Sequence, residues 1–362
     1  MESVAGGAIA ILDQEPLNYG STSSSQPYNS PQSCCSSISL YSYTTDMDPT
    51  TFIREAAGRR YNAWQNTLYM LPSDQPEFLR HDKQHRMLQL ALGSLYPDPQ
   101  VVETILTPQG NERISILDLG TGSGAWCIEM AQAFPHADVV GVDLVVNASR
   151  TTPPNCRFEF DDINLGLSHF HGQFNLVHSR MIVNGLANYV SFLDDVVACL
   201  KPGGIVIMVE GDIRPYHEDK VTHYAPADLE AEGGSWWARV CLEAFQIMKN
   251  RGSSIDGSDE VENGIQHPDI VVCRTGTVFV PLGPWATGTT PEQNASLAEQ
   301  GTLMAENAQE FVNALSLLFA EAGYDHDMVR QWLQRVNNDL DNRGNKREYV
   351  KYRYAWGIKR DS

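Results

Sequence analysis

The chain has 362 residues, 42% of them hydrophobic and 20% charged, enough apolar material for one large or two medium soluble domains. Its formal net charge of −19 argues against a nucleic-acid partner, and no apolar run approaches the roughly 18–20 residues that span a bilayer. Seven cysteines, scattered apart from Cys34–Cys35 and without CxxC or zinc-type spacing, are expected to be reduced, as in a cytoplasmic or nuclear protein, and no metal site is predicted.

No Lys or Arg precedes Arg54, so neither a secretory signal nor a transit peptide is predicted. Residues 1–50 read as a tail; from residue 14 on it is rich in Ser, Tyr, Thr, Gln and Pro and is expected to be disordered. An aromatic and basic segment, 54–72, ends at Pro72. Asp74 followed by Glu77 resembles a helix start, and Phe78, His81, His85, Leu88, Leu92 and Leu95 keep helical spacing. Residues 51–110 are therefore predicted to form a helical N-terminal cap. His81 and His85 share one helix face, but no third ligand stands at motif spacing, so cap packing is their expected role.

The stretch from Ile114 to Leu144 organises the rest. The apolar run Ile114–Ile116–Leu117 ends on Asp118, and a turn with Gly120, Gly122 and Gly124 follows. A helix carrying Trp126, Ile128, Met130, Ala131 and Phe134 then stops at Pro135. Val139, Val140 and Val142 form a second run ending on Asp143, which completes a strand–helix–strand unit with parallel strands. Ligands on such sheets bind beyond the carboxyl ends of the strands, where both aspartates are expected. Glycines let a ligand approach the main chain, the helix start offers free N–H groups, and an acid after the second strand suits a ribose diol.

Two ligands compete for this pattern. Gly120–Gly122–Ala125 with Asp143 fits the loose dinucleotide fingerprint of a nicotinamide oxidoreductase. Asp118–Gly120–Gly122–Gly124 fits the D-x-G-x-G-x-G of methyltransferases that use S-adenosylmethionine. Leu200–Lys201–Pro202–Gly203–Gly204 before the apolar run Ile205–Glu210 resembles class I methyltransferases and tips the balance.

Further along, Arg157–Phe160 is predicted as a third strand ending in Asp161–Asp162–Ile163. An acid there is placed to bond an adenine amine while Ile163 packs on the ring; helix capping is the competing role. Phe174–Val177 reads as the fourth strand, leading to His178–Ser179–Arg180 at the mouth of the site. His178 is a candidate base or a loop-bonding residue. Ser191–Leu200 is a core helix. Residues 111–210 thus make a cofactor-binding core, and 211–275 a substrate-side insertion with Trp236–Trp237 on an apolar helix and a Gly/Ser/Asp-rich loop at 251–264. Glu210, His217 and His223 are further acid–base candidates. Residues 276–362 should complete the sheet with a strand at Thr277–Pro281, helices at Phe311–Ala322 and Asp327–Leu340, and a last strand at Tyr349–Trp356.

Taken in order, several segments resemble the fungal LaeA-like (UMTA) methyltransferases. They are Gly58–Arg59–Arg60–Tyr61, Tyr69–Met70–Leu71–Pro72 and Arg80–His85, then Leu117–Gly124, Pro153–Glu159 with Asp161–Asp162, Phe174–Arg180, Leu200–Gly204, Val280–Trp285 and Tyr349–Gly357. The resemblance starts near residue 51 and leaves the tail outside. It implies a Rossmann-like α/β fold with a mostly parallel seven-stranded sheet and an antiparallel last strand. It also implies S-adenosyl-L-methionine as cofactor, held by Tyr61, Asp118, Gly120, Thr121, Gly122, Gly124, Asp143, Leu144, Asp161, Asp162, Ile163 and His178. Methylation of a small secondary-metabolite acceptor, at oxygen, is the expected function, and a nuclear regulator working through protein partners is the alternative. One departure is Leu144–Ser149, which stands where the family often carries an SPIQP-type segment.

Overall fold

The computed structural model describes residues 41–42, 52–64, 66–229, 233–341 and 346–361. Apart from Tyr41–Ser42, the tail and its Cys34–Cys35 pair lie outside the described residues.

The sheet grows from β4 (Ile114–Leu119), whose apolar side chains alternate between two buried clusters. Leu117 and Leu119 join one, Ile114 and Ile116 the other. That is the burial expected of a strand covered by helices on both faces. Parallel to β4 run β5 (Ala137–Asp143) and β7 (Phe174–Arg180); β6 (Cys156–Phe160) flanks β5, and β8 (Leu200–Tyr216) flanks β7. Beyond β8 lie β10 (Tyr349–Lys359), antiparallel to both its neighbours, and then β9 (Ile270–Pro281) at the edge. The order β6-β5-β4-β7-β8-β10-β9 is the expected seven-stranded sheet with one antiparallel strand. A two-residue strand, β1 (Tyr41–Ser42), adds an eighth member by pairing with Phe160 and Glu159, so the expected disorder of the tail does not run through these two residues.

Strand lengths depart from the sequence reading at their ends. The glycine turn before the fifth strand belongs to β8 itself: Leu200 pairs with Phe174 and Ile205 with Leu176, and the residues between form an irregularity with Gly203 at φ 71°. Ile270–Gly276 was not legible as strand because it lies at the sheet edge with mostly exposed side chains, which removes the alternation of apolar and polar positions. The expected loop at 251–264 contains a short helix, α6 (Gly257–Glu262).

The cap is not wholly helical. Its first part is a hairpin of β2 (Ile53–Ala56) and β3 (Arg59–Asn62), turned by Ala57 and Gly58 at φ 48° and 73°. Next comes α1 (Gln75–Leu92), capped as expected by Asp74, whose side chain accepts from the Glu77 N–H at 3.2 Å. Asp74 also takes a bidentate pair of bonds from Arg59 at 2.6 and 2.7 Å, which ties hairpin to helix. The helix ends at Gly93, leaving Leu95 outside it, and α2 (Pro99–Ile105) follows.

One face of the sheet is covered by α2 and α3 (Ala125–Ala133). The other carries α4 (Tyr189–Cys199), α5 (Trp236–Asn250), α7 (Pro291–Ala314), α8 (Ser316–Glu321) and α9 (His326–Asp341). The helix expected at 311–322 is the last turn of α7 followed by α8.

Candidate active site

Strand order reverses between β4 and β7, and the crevice that opens there holds the main cleft. Its first wall is the glycine turn. Gly120 and Thr121 donate to the Val142 carbonyl at 2.8 and 3.0 Å, which pins the turn to β5. Gly120 and Gly122 have φ of 73° and 56°. A Cβ at Gly120 would sit 2.3 Å from Ile182 Cγ2, and one at Gly122 would sit 2.7 Å from His81 Nδ1. The turn is therefore closed to side chains by conformation and by contact.

Asp143, at the end of β5, accepts from the Gly122 N–H at 2.7 Å and the Val145 N–H at 3.3 Å. Burial nonetheless raises its pKa above the ordinary carboxylate value. At the end of β6, Asp162 Oδ1 accepts from the backbone and side-chain N–H groups of Asn164 at 3.0 and 2.9 Å, so capping does occupy one of its oxygens. Asp161 faces His169 at 3.1 Å, and burial raises its pKa too.

Asp118 and His178 pair across neighbouring strands in register. The Nδ1–H of His178 donates to Asp118 Oδ1 at 2.7 Å, the Cys127 thiol approaches Oδ2 at 3.3 Å, and the imidazole stacks on Trp126 with centroids 3.9 Å apart. His178 is only 2% exposed, and burial lowers its pKa. This buried ring, donating to a carboxylate on the adjacent strand, braces β4 against β7.

The remaining wall belongs to elements far away in sequence. Trp237, Phe245 and Met248 from α5, and Met304 and Phe311 from α7, make an apolar lobe. Trp236, its neighbour, faces elsewhere, under the Arg335 guanidinium. Asn307 of α7 accepts from Arg80 Nη1 at 2.9 Å; Arg80 is also paired with Glu77 at 2.7 Å, and both members are buried. Glu210 is 1% exposed and lines the same cleft. Burial pushes its pKa up to about 8, against the lowering effect of the Ile182 and Val183 N–H groups, the first at 2.9 Å.

The cleft thus gathers Asp118, Gly120, Thr121, Gly122, Asp143, Leu144, Asp161, Asp162, Ile163, His178 and Glu210. It does not gather Tyr61, Gly124 or His217. Tyr61 is buried in the cap beneath Arg54, and Tyr69 lines the cleft instead. Gly124 starts α3 against Phe158, where a Cβ would come within 2.5 Å. His217 stacks on Tyr224 at 3.5 Å beyond the cleft, and His223 packs on Tyr216. Tyr61 and His217 thus make their contacts away from this cleft. Among the described residues no cluster of metal-ligating side chains occurs, and His81 and His85 point to separate partners, Glu77 and Glu129.

The reversed strand order, the glycine turn after β4 and the antiparallel β10 define a class I methyltransferase fold. Residues 83–253 match the family described as Methyltransferase domain. In line with the expected resemblance to the fungal LaeA-like proteins, the chain is 32% identical over 233 residues to the secondary metabolism regulator laeA of Coprinopsis cinerea, covering 64% of this chain and 57% of that protein. It is 28% identical over 267 residues to methyltransferase pytC of Aspergillus terreus, covering 73% and 75%, and 28% identical over 278 residues to the protein-methionine methyltransferase laeA of Emericella nidulans, covering 76% and 69%. The chain spans less than two thirds of the length of the Coprinopsis relative. No helix among the described residues is long and apolar enough to cross a membrane.

Proposed function

We propose that this chain binds S-adenosyl-L-methionine and transfers its methyl group to a hydroxyl of a small, largely apolar acceptor. The observation that carries this reading is that the glycine turn and the acids at the ends of β4, β5 and β6 share one cleft with the apolar lobe of α5 and α7. The residues fit such a cofactor: a cradle that a Cβ would fill, an acid at the second strand end for a ribose diol, and Asp162 beside Ile163 for an adenine edge and face.

When bound, the cofactor would supply a methyl group activated on a sulfonium. The chain's own part is positioning and exclusion of water. Trp237, Phe245 and Phe311 would hold an apolar acceptor against the cleft floor. Glu210, in its ionised fraction, would take the acceptor's hydroxyl proton; a carboxyl with a pKa near 8 is matched to that task near neutral pH.

Calorimetry with S-adenosylmethionine and S-adenosylhomocysteine tests the reading: micromolar binding of either supports it, and binding of neither defeats it. A second reading rests on the relatives named secondary metabolism regulators, in which the acceptor is a protein and the cleft serves a partner. Methyl transfer to small-molecule extracts without any labelled protein product would go against that alternative.

A further inference from the structure

One arginine in the cleft has no carboxylate partner among the described residues. Arg180 closes β7, is half-buried, and lines the cleft together with Asp118 and Gly120. The other cleft arginine, Arg80, is neutralised by Glu77. Arg180 forms no ion pair among the described residues; its hydrogen bond runs from Nη2 to His85 Nδ1 at 3.1 Å. To accept, that nitrogen must carry no proton, and burial holds the His85 pKa below its ordinary value. Nε2 of the same ring lies 3.1 Å from Glu129 Oε1. The imidazole therefore orients the guanidinium without cancelling its charge.

An arginine remains protonated even when buried, and a desolvated cation without a counter-ion is costly. Its planar fork matches a carboxylate with two parallel bonds. The place of the missing anion follows from the strand register. Ser179 lies opposite Leu119, so Arg180 stands level with Gly120, at the end of the cleft defined by Asp118 and the glycine turn. Asp162 and Ile163 lie two strands further, past β5 on β6.

We propose that Arg180 receives the α-carboxylate at the amino-acid end of the methyl donor, with His85 as the positioning residue that aims it. This rests on the function proposed above: the adenosine end would lie toward Asp143 and Asp162, which leaves the amino-acid end beside Arg180.

The test uses the full chain and two ligands, S-adenosylhomocysteine and its decarboxylated analogue, which keeps the adenosine, thioether and amine. Wild type should prefer the carboxylate-bearing ligand. Arg180→Met should weaken S-adenosylhomocysteine about 30-fold or more while changing the analogue less than about 3-fold, the loss expected of a charged hydrogen-bonded contact. Arg180→Lys should fall between, and His85→Ala should shrink the ratio of the two affinities in the same direction. Binding of the analogue reports that each variant is folded. If Arg180→Met lowers both affinities equally, or leaves S-adenosylhomocysteine unchanged, the assignment is overturned and the guanidinium serves another anion. If wild type binds neither ligand, the proposed function falls, and this inference with it.

Discussion

His178 donates its Nδ1–H to Asp118 Oδ1 at 2.7 Å across adjacent strands while its ring lies flat on Trp126. The three residues come from β4, β7 and α3, so a single imidazole joins the strand that starts the glycine turn to its neighbour and to the helix that follows.

His178→Ala should therefore lower stability. Removing the donor leaves a buried carboxylate short of a partner, which costs roughly 1–3 kcal/mol before the lost stacking is counted. Urea unfolding of the variant would read this as a lower midpoint. A variant with undiminished stability but no turnover would instead make His178 a participant in the chemistry.

Much of this arrangement is legible in the amino-acid sequence, and the reasons are local. Asp118, the three glycines and Asp143 fall within one contiguous stretch whose apolar period switches from strand to helix and back. Asp74 announces the start of α1 because an N-cap is a local interaction. What stayed hidden depends on distance along the chain. Arg80 meets Asn307 across 227 positions, and nothing near Asn307 marks it as a cleft residue. The hairpin at 53–62 was hidden by its short strands and mixed burial pattern. Glu210 was one acid among several candidates because depth of burial, which sets its chemistry, leaves no trace in local pattern. His217 and His223 looked equivalent to it for the same reason. Residue type is visible in sequence; desolvation is not.

The glycine turn gives a sharper test. Gly122→Ala places a Cβ 2.7 Å from His81 Nδ1 on a backbone with φ 56°. A non-glycine residue in that region costs roughly 1–2 kcal/mol, and His81 must also move. The variant should melt several degrees lower and bind S-adenosylhomocysteine at least about tenfold more weakly, since a tenfold change needs only about 1.4 kcal/mol. Combining it with His81→Ala should restore part of the stability, because the two residues collide. Strictly additive losses would show that the conformation alone, not the histidine, closes the turn.

The cap should respond to acid. Burial raises the pKa of Glu77, but Arg80 and His81 outweigh it and hold the carboxyl at about 2. Its folded value lies below the ordinary 4.5, so the pair contributes stability above pH 4.5 that is lost as pH falls toward 2. The difference amounts to about 3 kcal/mol over that range. Glu77→Gln should be less stable at neutral pH, since it leaves the buried Arg80 unpaired, and should lose less stability on acidification. Melting curves at pH 3, 4, 5 and 7 for both proteins would measure this, and parallel curves would refute it.

Glu210 should show the opposite dependence. Burial raises its folded pKa from 4.5 to about 8, so between those values the folded protein keeps a proton that the unfolded chain has released. Stability from this group is full below pH 4.5 and declines as pH rises toward 8, by up to about 5 kcal/mol. Glu210→Gln carries no titrating proton and should flatten that decline. If Glu210 also takes the acceptor's proton, turnover in wild type should climb with pH toward 8 even as the fold weakens, and the glutamine variant should lose that rising limb. Stability and turnover would then move in opposite directions along one pH axis in wild type, and both slopes would be lost in the variant. A glutamine variant that keeps the turnover limb would mean that a group other than Glu210 takes the acceptor's proton, while the stability slope, present in wild type and absent from the variant, would still report the buried carboxyl.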